Sequence, residues 1–287
     1  MQPCHKIVMS IKENSMQKVI WITGASSGFG RDCALKLLQM GGFKVYVSAR
    51  RAELMQDLAD MGAIVLPLDV CDDTSVKNAC QTILDKENRI DGLLANAGLG
   101  VYGMVESIDM ADIHYQFEVN VFGVARCLKA VLPKMREQKS GRIVITESLA
   151  AHASCIGIGW YAASKHALRG MHTALRQELK HTGVKVIAIE PGRVKTDFWQ
   201  TAGASIPNKI EDYQKLTNNF MQYMDKPTIW QTPNTESTVA AMIHALTSDT
   251  PKTVYRTTKD AKLFPILMKF MPNWLYDKIV LSQLGVK

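Results

Sequence analysis

Val19-Ile20-Trp21-Ile22-Thr23-Gly24-Ala25-Ser26-Ser27-Gly28-Phe29-Gly30 decides how this chain folds. Four apolar residues in a row, closed by a glycine-rich turn, read as a short buried strand. From Phe29 to Met40 the apolar residues take helical spacing, and Gly41-Gly42 ends the run. A strand that turns through glycines into a helix opens a βαβ unit. Gly24, Gly28 and Gly30 let the backbone turn tightly and approach a ligand, while Ser26, Ser27 and Phe29 bring amides to the helix start. A helix N-terminus offers those N–H groups and a partial positive charge to a phosphate. The spacing is Gly-x3-Gly-x-Gly rather than Gly-x-Gly-x-x-Gly. Alone, such a loop reads equally well as a tight βα turn.

The same alternation continues outward. Strands are expected at Val45–Val47, Ala63–Leu68, Leu93-Leu94, Arg142–Thr146 and Val184–Ile189. Helices are expected from about Ala52, from Asp72-Asp73 to Lys86, from Met110 to Gln138 with Pro133 as a point of bending, and from Tyr161 to His181. This order predicts an α/β fold, a doubly wound parallel sheet of Rossmann type in a three-layer α/β/α single domain. After Pro191-Gly192 the pattern loosens. Residues 193–235 are long for a plain connection and read as a substrate-loop segment. The stretch Leu263–Leu284 is apolar and interrupted by Pro265 and Pro272.

Bulk composition narrows the function classes. The 287 residues are 47% apolar and 21% charged, which suits a packed domain rather than a disordered chain. The formal charge of +7 is spread along the chain, so it reads more plainly as a solvated basic surface that also suits an anionic ligand than as a weak nucleic-acid patch. The six cysteines form no CxxC pair and read as free thiols of a reducing compartment; the seven histidines show no ligand spacing, and no metal is expected. Residues 1–15 lack the apolar core of a signal peptide, Met16 is a candidate start, and no apolar run reaches membrane-spanning length. A cytoplasmic protein is expected.

The end of the second strand bears on the cofactor. A carboxylate there would bind a ribose 2′-hydroxyl, but the sequence has Ser48-Ala49-Arg50-Arg51. Arg pairs bidentately with phosphate, so NADP(H) is favoured over NAD(H) through Arg50 and Arg51. For Arg51, starting the next helix is an equal reading. Asp69, with Val70 after it, would bind the adenine amino group or cap the following helix.

Tyr161 and Lys165 stand at i and i+4, on one helix face. Tyrosine is too weak an acid for work near neutral pH, and a neighbouring ammonium would lower its pKa. Ser148, at a strand end, could hold a substrate oxygen. Tyr-x3-Lys by itself is common on helix surfaces; the glycine loop and Ser148 make chance a poor account of it here.

With these residues in place the chain resembles the short-chain dehydrogenase/reductase family from Lys18 to about Tyr255. Thr23-Gly24-x3-Gly28-x-Gly30, Asn96-Ala97-Gly98, Asn120, Ser148, Tyr161-Ala-Ala-Ser-Lys165 and Pro191-Gly192 carry the resemblance, in order. It implies a catalytic tetrad of Asn120, Ser148, Tyr161 and Lys165. Tyr161 would be the acid/base, Ser148 would orient the substrate oxygen, and Lys165 would lower the tyrosine pKa and bind the nicotinamide ribose. Asn120 would hold a relay water. It also implies nucleotide contacts from Asn96, Ala97, Gly98, Pro191, Gly192 and Val194, with Thr196 at the carboxamide, and supports the NADP preference at Arg50. A homodimer or homotetramer is expected. Two positions depart from the family pattern. Ala95 replaces the usual first Asn and reads as packing. Glu147 stands where a small polar residue is usual and reads as a solvent contact at the strand end or as a substrate contact.

Domain boundaries follow: an N-terminal extension at 1–17, an NADP-binding catalytic domain at 18–258 and an apolar C-terminal segment at 259–287. Phe198, Trp199, Tyr213, Phe220, Met221, Tyr223, Met224, Trp230 and the stretch Phe264–Tyr276 would wall a lipophilic ketone or alcohol such as a hydroxysteroid, bile acid or retinoid. The same residues would equally build a flap core or a subunit contact. The chain is similar to hydroxysteroid dehydrogenase-like members. The competing readings are a 3-oxoacyl or other small-carbonyl reductase, a non-catalytic NADP sensor, and peripheral membrane contact through Leu263–Leu284.

Overall fold

In the computed structural model, the described residues are 17–196, 198 and 210–286. Strand β1 (Lys18–Thr23) has five consecutive buried residues, as expected of a strand covered on both faces. It feeds α1 (Gly28–Met40), then β2 (Phe43–Ala49), a 3₁₀ turn at Ala52–Met55, α2 (Gln56–Asp60), β3 (Ile64–Pro67), α3 (Asp73–Glu87) and β4 (Gly92–Ala95). The second half-sheet follows: α4 (Met110–Phe117), a π-turn at Glu118–Phe122, α5 (Gly123–Glu137), β5 (Gly141–Thr146), a 3₁₀ turn at Leu149–Ala151, α6 (Gly159–Glu178), β6 (Val184–Glu190) and β7 (Val254–Arg256). All pairings are parallel, in the order β3-β2-β1-β4-β5-β6-β7. The order reverses between β1 and β4, so the crevice at their C-terminal ends is the natural ligand site of this topology.

Each face of the sheet packs its own core. On one, Trp21, Leu93, Ile143, Ile145 and Val186 meet Val131, Met135 and Leu168 from α5 and α6. On the other, Ile20, Ile22, Leu94, Val144 and Ile189 meet Leu37 of α1 and Met242 of the later helix Glu236–Thr247. The expected three-layer α/β/α fold is what forms.

Beyond Glu190 the expectations need correction. The described part of the loose 193–235 stretch holds a regular helix, α7 (Gln214–Asp225); α8 (Glu236–Thr247) and the three-residue β7 had no distinct sequence signal. Pro265 does not break the C-terminal stretch but lies inside α9 (Lys259–Phe270), and only Pro272 separates it from α10 (Asn273–Gln283). Pro133 likewise lies inside α5, which runs on to Glu137. Residues 1–16 and Trp199 lie outside the described residues. Among the described residues no helix is long and apolar enough to cross a membrane, and no group of His, Cys, Asp and Glu is arranged to hold a metal ion.

Candidate active site

The glycine loop is built by close approach. A Cβ on Gly24, whose φ is +67°, would lie 2.7 Å from Ala97 Cα, and one on Gly30 would lie 2.5 Å from Gly24 O. Only hydrogen fits at either place, so the loop seats on the Asn96-Ala97 turn after β4. Thr23 Oγ1 accepts from the amides of Asn96 (3.1 Å) and Ala97 (3.2 Å), and Asn96 Nδ2 donates to Gly24 O at 3.1 Å. Thr146 of β5 donates to Asn96 Oδ1 at 3.1 Å. Asn96 is therefore a clamp joining β1, β4 and β5, while Ala97 packs beneath the loop.

The loop's outer side suits a dinucleotide. Ser27 precedes α1 without a side-chain cap, and the first turn carries no acidic residue. The space around Gly28 is open, with no atom within 4 Å of an added Cβ. Uncapped helix amides beside an open glycine turn fit a pyrophosphate. At the end of β2, Ser48 is buried and accepts from Trp21 Nε1 at 2.8 Å, so it faces away from the crevice. Arg50 and Arg51 are exposed. Arg50 donates to the Tyr115 hydroxyl and stacks 5.8 Å from that ring, which holds the guanidinium beside α4. Asp69 accepts from Cys71 N at 2.9 Å, while the cap of α3 is Asp72. The capping alternative for Asp69 is thus overturned. Val70 is buried, and a Cβ on Gly123 of α5 would lie 2.8 Å from it.

The four tetrad candidates converge at the ends of β4 and β5. Asn120 is fully buried in the π-turn, a geometry often found at functional sites. Its Oδ1 accepts from Leu99 N at 2.8 Å, and its Nδ2 donates to Leu99 O at 2.8 Å and to Ser164 Oγ at 3.1 Å. Ser164 donates in turn to Tyr161 O at 2.7 Å. Both amide protons of Asn120 are committed, leaving an Oδ1 lone pair for any further bond. Ser148 Oγ accepts from Ala150 N at 3.1 Å and caps the short turn after β5.

Tyr161 is half-buried. Burial pushes its hydroxyl up to about 12, against which a side-chain hydrogen bond from Ser148 acts. Lys165 is buried; its Nζ donates to Thr146 O at 3.0 Å and stands 5.8 Å from the Tyr161 ring centroid. Burial lowers its pKa to about 8, and the charge of Glu147 works the other way. Gly98 leaves room beside this group: a Cβ there would be 3.3 Å from Asn120 Oδ1 and 3.9 Å from Lys165 Nζ.

Glu147 follows neither expected role. It is buried, with Oε1 3.3 Å from His172 Nδ1 of α6, so it contacts neither bulk solvent nor the open crevice.

The wall over Tyr161 comes from distant parts of the chain. Tyr102, Met104, Phe220 and Leu284 form a buried cluster, and Ile158, Tyr161, Tyr213, Tyr223 and Met224 pack against it. Ring centroids of Tyr102 and Phe198 lie 5.5 and 6.0 Å from that of Tyr161. Trp230 pairs instead with Phe264 of α9 at 5.7 Å, and Met221 is exposed. The loop after β6 is tied to the C-terminal segment. Gly192 N donates to Thr258 Oγ1 at 2.9 Å and Arg193 N to Asp260 Oδ2 at 2.8 Å. Arg193 Nη2 donates to the carbonyls of Tyr223, Met224 and Lys226, closing the end of α7. Pro191 is buried, Val194 bridges to Thr232, and Thr196 Oγ1 accepts from Phe198 N at 3.4 Å. Sequence reasoning missed Ser164, Asp260 and Thr258. Ser164 lay within the quoted Tyr-Ala-Ala-Ser-Lys motif, but nothing local marked the other two.

The profile of the short chain dehydrogenase family matches residues 18–206. An uncharacterised oxidoreductase of Escherichia coli K12, YbbO, is 33% identical over 277 residues, covering 96% of this chain and 98% of its own. A short chain dehydrogenase/reductase of Burkholderia phymatum in complex with NAD is 25% identical, with a TM-score of 0.74 over 88% of this chain and 92% of its own. The closed form of a serine dehydrogenase complexed with NADP+ is 26% identical, with a TM-score of 0.70 over 84% of this chain and 94% of its own. With its glycine loop seated on Asn96-Ala97 and Tyr161 beside Lys165, the chain belongs to the short-chain dehydrogenase/reductase family of oxidoreductases.

Proposed function

We propose that this protein interconverts a ketone and a secondary alcohol of lipophilic character, such as a hydroxysteroid or bile acid, using NADP(H), with Tyr161 as acid/base. One observation carries the reading: the Tyr161 hydroxyl bonds Ser148, Lys165 stands beside its ring, and an apolar aromatic wall covers it. When bound, the nicotinamide cofactor supplies or accepts the hydride. Ser148 holds the substrate oxygen against Tyr161. Tyr161 gives that oxygen its proton in reduction and takes it back in oxidation. Unassisted, the half-buried tyrosine is too weak an acid, and Lys165 as an ammonium stabilises the phenolate left behind. Asn120 anchors the Leu99 turn, and the free lone pair of its Oδ1 is suited to a relay water.

The glycine loop and α1 would hold the pyrophosphate, and Asp69 and Val70 would lie at the adenine. Asn96 to Gly98 would lie beside the nicotinamide ribose, and Pro191, Gly192, Val194 and Thr196 would lie at the carboxamide side. Arg50 supports NADP over NAD: it is exposed at the end of β2, oriented by Tyr115, with no carboxylate in Ser48–Arg51. A 3-oxoacyl or other small-carbonyl substrate is the alternative, while retention of both Tyr161 and Lys165 weighs against a non-catalytic sensor. We place the protein in the cytoplasm as a homodimer or homotetramer, which light scattering after gel filtration tests.

Tyr161→Phe keeps the ring and removes the proton. It should lower kcat by about 10²–10⁴-fold on the best ketone of a panel of steroids, bile acids, retinal and acyl thioesters. Wild-type turnover would reject the role. Arg50→Asp should move the kcat/KM ratio toward NADH; an unchanged ratio takes Arg50 out of the site.

A further inference from the structure

Glu147 and Glu190 form a buried carboxylate pair that the proposed reaction does not use. Strands β5 and β6 pair with Thr146 beside Ile189, so the next residues along, Glu147 and Glu190, are neighbours. Side chains alternate along a strand. Glu147 therefore shares the α6 face with Ile143 and Ile145, and Glu190 shares it with Val184 and Val186. Both carboxylates are nearly inaccessible, at 1% and 2% exposure. Two like charges so placed cannot both ionise cheaply, and their partners decide which keeps the proton.

The partners are unequal. Glu190 Oε1 lies 2.8 Å from His152 Nε2, and Oε2 accepts from Arg256 Nε at 3.0 Å. Burial raises its pKa, but these two neighbours outweigh it and hold the carboxyl below its usual range. Neither oxygen of Glu147 has a hydrogen-bond partner among the described residues. His172, 3.3 Å away, is itself buried, and burial with the nearby Arg176 disfavours its charged form. The remaining cations that act on Glu147 are Lys165 and Arg169 of α6. Burial first, then Glu190, pushes the Glu147 carboxyl up to about 8. Lys165 reaches the same strand end, since its Nζ bonds the carbonyl of Thr146, the residue that precedes Glu147.

We propose that Glu147 is a positioning residue for Lys165: its carboxylate, on the α6 face of the sheet, supports the ammonium that in turn serves Tyr161. Below the titration of Glu147 the acid is neutral and Lys165 holds its proton unaided. Above it the new negative charge keeps Lys165 charged where burial alone would discharge it. The buried acid thereby extends, toward alkaline pH, the range in which Tyr161 has a cation beside it. Glu190, kept ionised by its bonds to His152 and Arg256, forces this titration onto Glu147.

This deepens the reading of the Tyr161–Lys165 pair and rests on it, so the test reads Lys165 itself and not turnover. Lysine side-chain carbon resonances of the full chain are followed from pH 6 to about 11, bracketing the ordinary lysine pKa, with Lys165 assigned through Lys165→Arg. In Glu147→Gln the Lys165 midpoint should fall by roughly one pH unit, and Glu147→Asp should restore part of it. An unchanged midpoint in Glu147→Gln, or equal shifts in Gln and Asp variants, overturns the proposal, because a merely space-filling role does not distinguish charge. Should Glu147→Gln fail to fold, the wild-type carboxyl resonances decide. A glutamate titrating over the same interval as Lys165 is expected, and its absence overturns the proposal. If Tyr161→Phe keeps full activity, the proposed function fails while this titration stands.

Discussion

Two stretches of the chain wall the crevice, and they are built differently. Residues 18–190 form six of the seven strands and build the candidate site through close backbone contact: glycines without room for a methyl group, one amide side chain spanning three strands, a buried lysine on a carbonyl. Among the described residues, 191–286 add one three-residue strand and the helices α7 to α10, and complete the wall over Tyr161 by side chains: aromatic rings, an arginine on three carbonyls, a buried Asp260 on a loop amide. The first kind of contact tolerates almost no change of shape. The second tolerates change where side chains are exposed, as at Phe270 (77%) and Trp274 (66%), and resists it where they are buried. On the proposed function, precision about reacting atoms belongs to the first region and adaptation to a substrate to the second.

The contrast can be broken by substitutions on either side. Phe220→Ala, emptying the fully buried centre of the wall, should cost about 3–5 kcal/mol and leave NADPH affinity in the folded protein intact. The check is chemical denaturation with a cofactor titration, and a large loss of cofactor affinity would erase the division. Asp260→Ala removes the acceptor for Arg193 N and should cost about 1–3 kcal/mol. It should loosen the wall without altering cofactor preference, which denaturation and an NADPH/NADH comparison would show. Gly30→Ala forces a methyl group against Gly24 O and should cost about 1–3 kcal/mol, while weakening NADPH binding by about tenfold or more; unaltered affinity by calorimetry would show that the loop adapts.

A subtler effect is on the pH dependence of stability. The Glu147 carboxyl ordinarily ionises near 4.5 and in the folded protein near 8. A raised acid favours folding at acid pH and disfavours it as pH climbs, because the unfolded chain ionises first. Glu147→Gln should therefore gain melting temperature relative to wild type between about pH 4.5 and 8, with a flat difference beyond; a difference that shrinks over that range contradicts the buried titration. The smallest effect is expected for Trp274→Ala on exposed α10, within about 0.5 kcal/mol of wild type in a melt.

The chain's legibility follows the same division. In β1 the apolar run and in α1 the helical period agree with the elements formed, because strands buried on both faces and helices on one leave periodic traces. In the last third, α9 continues through Pro265 and α7 occupies a stretch read as loop. Tertiary contacts outweigh local preference there: Thr258 caps α9 through Ala261 N, and Arg193 closes α7. Glu147 departs from its sequence reading for a related reason. Its position marks the strand end as an exit to solvent, yet α6 and the neighbouring β6 cover it.

By itself the sequence determined the strand-and-helix order up to Glu190, the glycine loop, the pairing of Tyr161 with Lys165 through a helical turn, and the missing carboxylate after β2. Each is a matter of spacing along a few residues, which backbone geometry converts directly into position. Only the tertiary structure decided that Asn96 clamps three strands, that Asp260 reaches 67 residues back to Arg193, and that Glu147 stands beside Glu190. Those contacts depend on strand order, register and burial, which set the charge state of a buried acid and leave no mark in the local sequence.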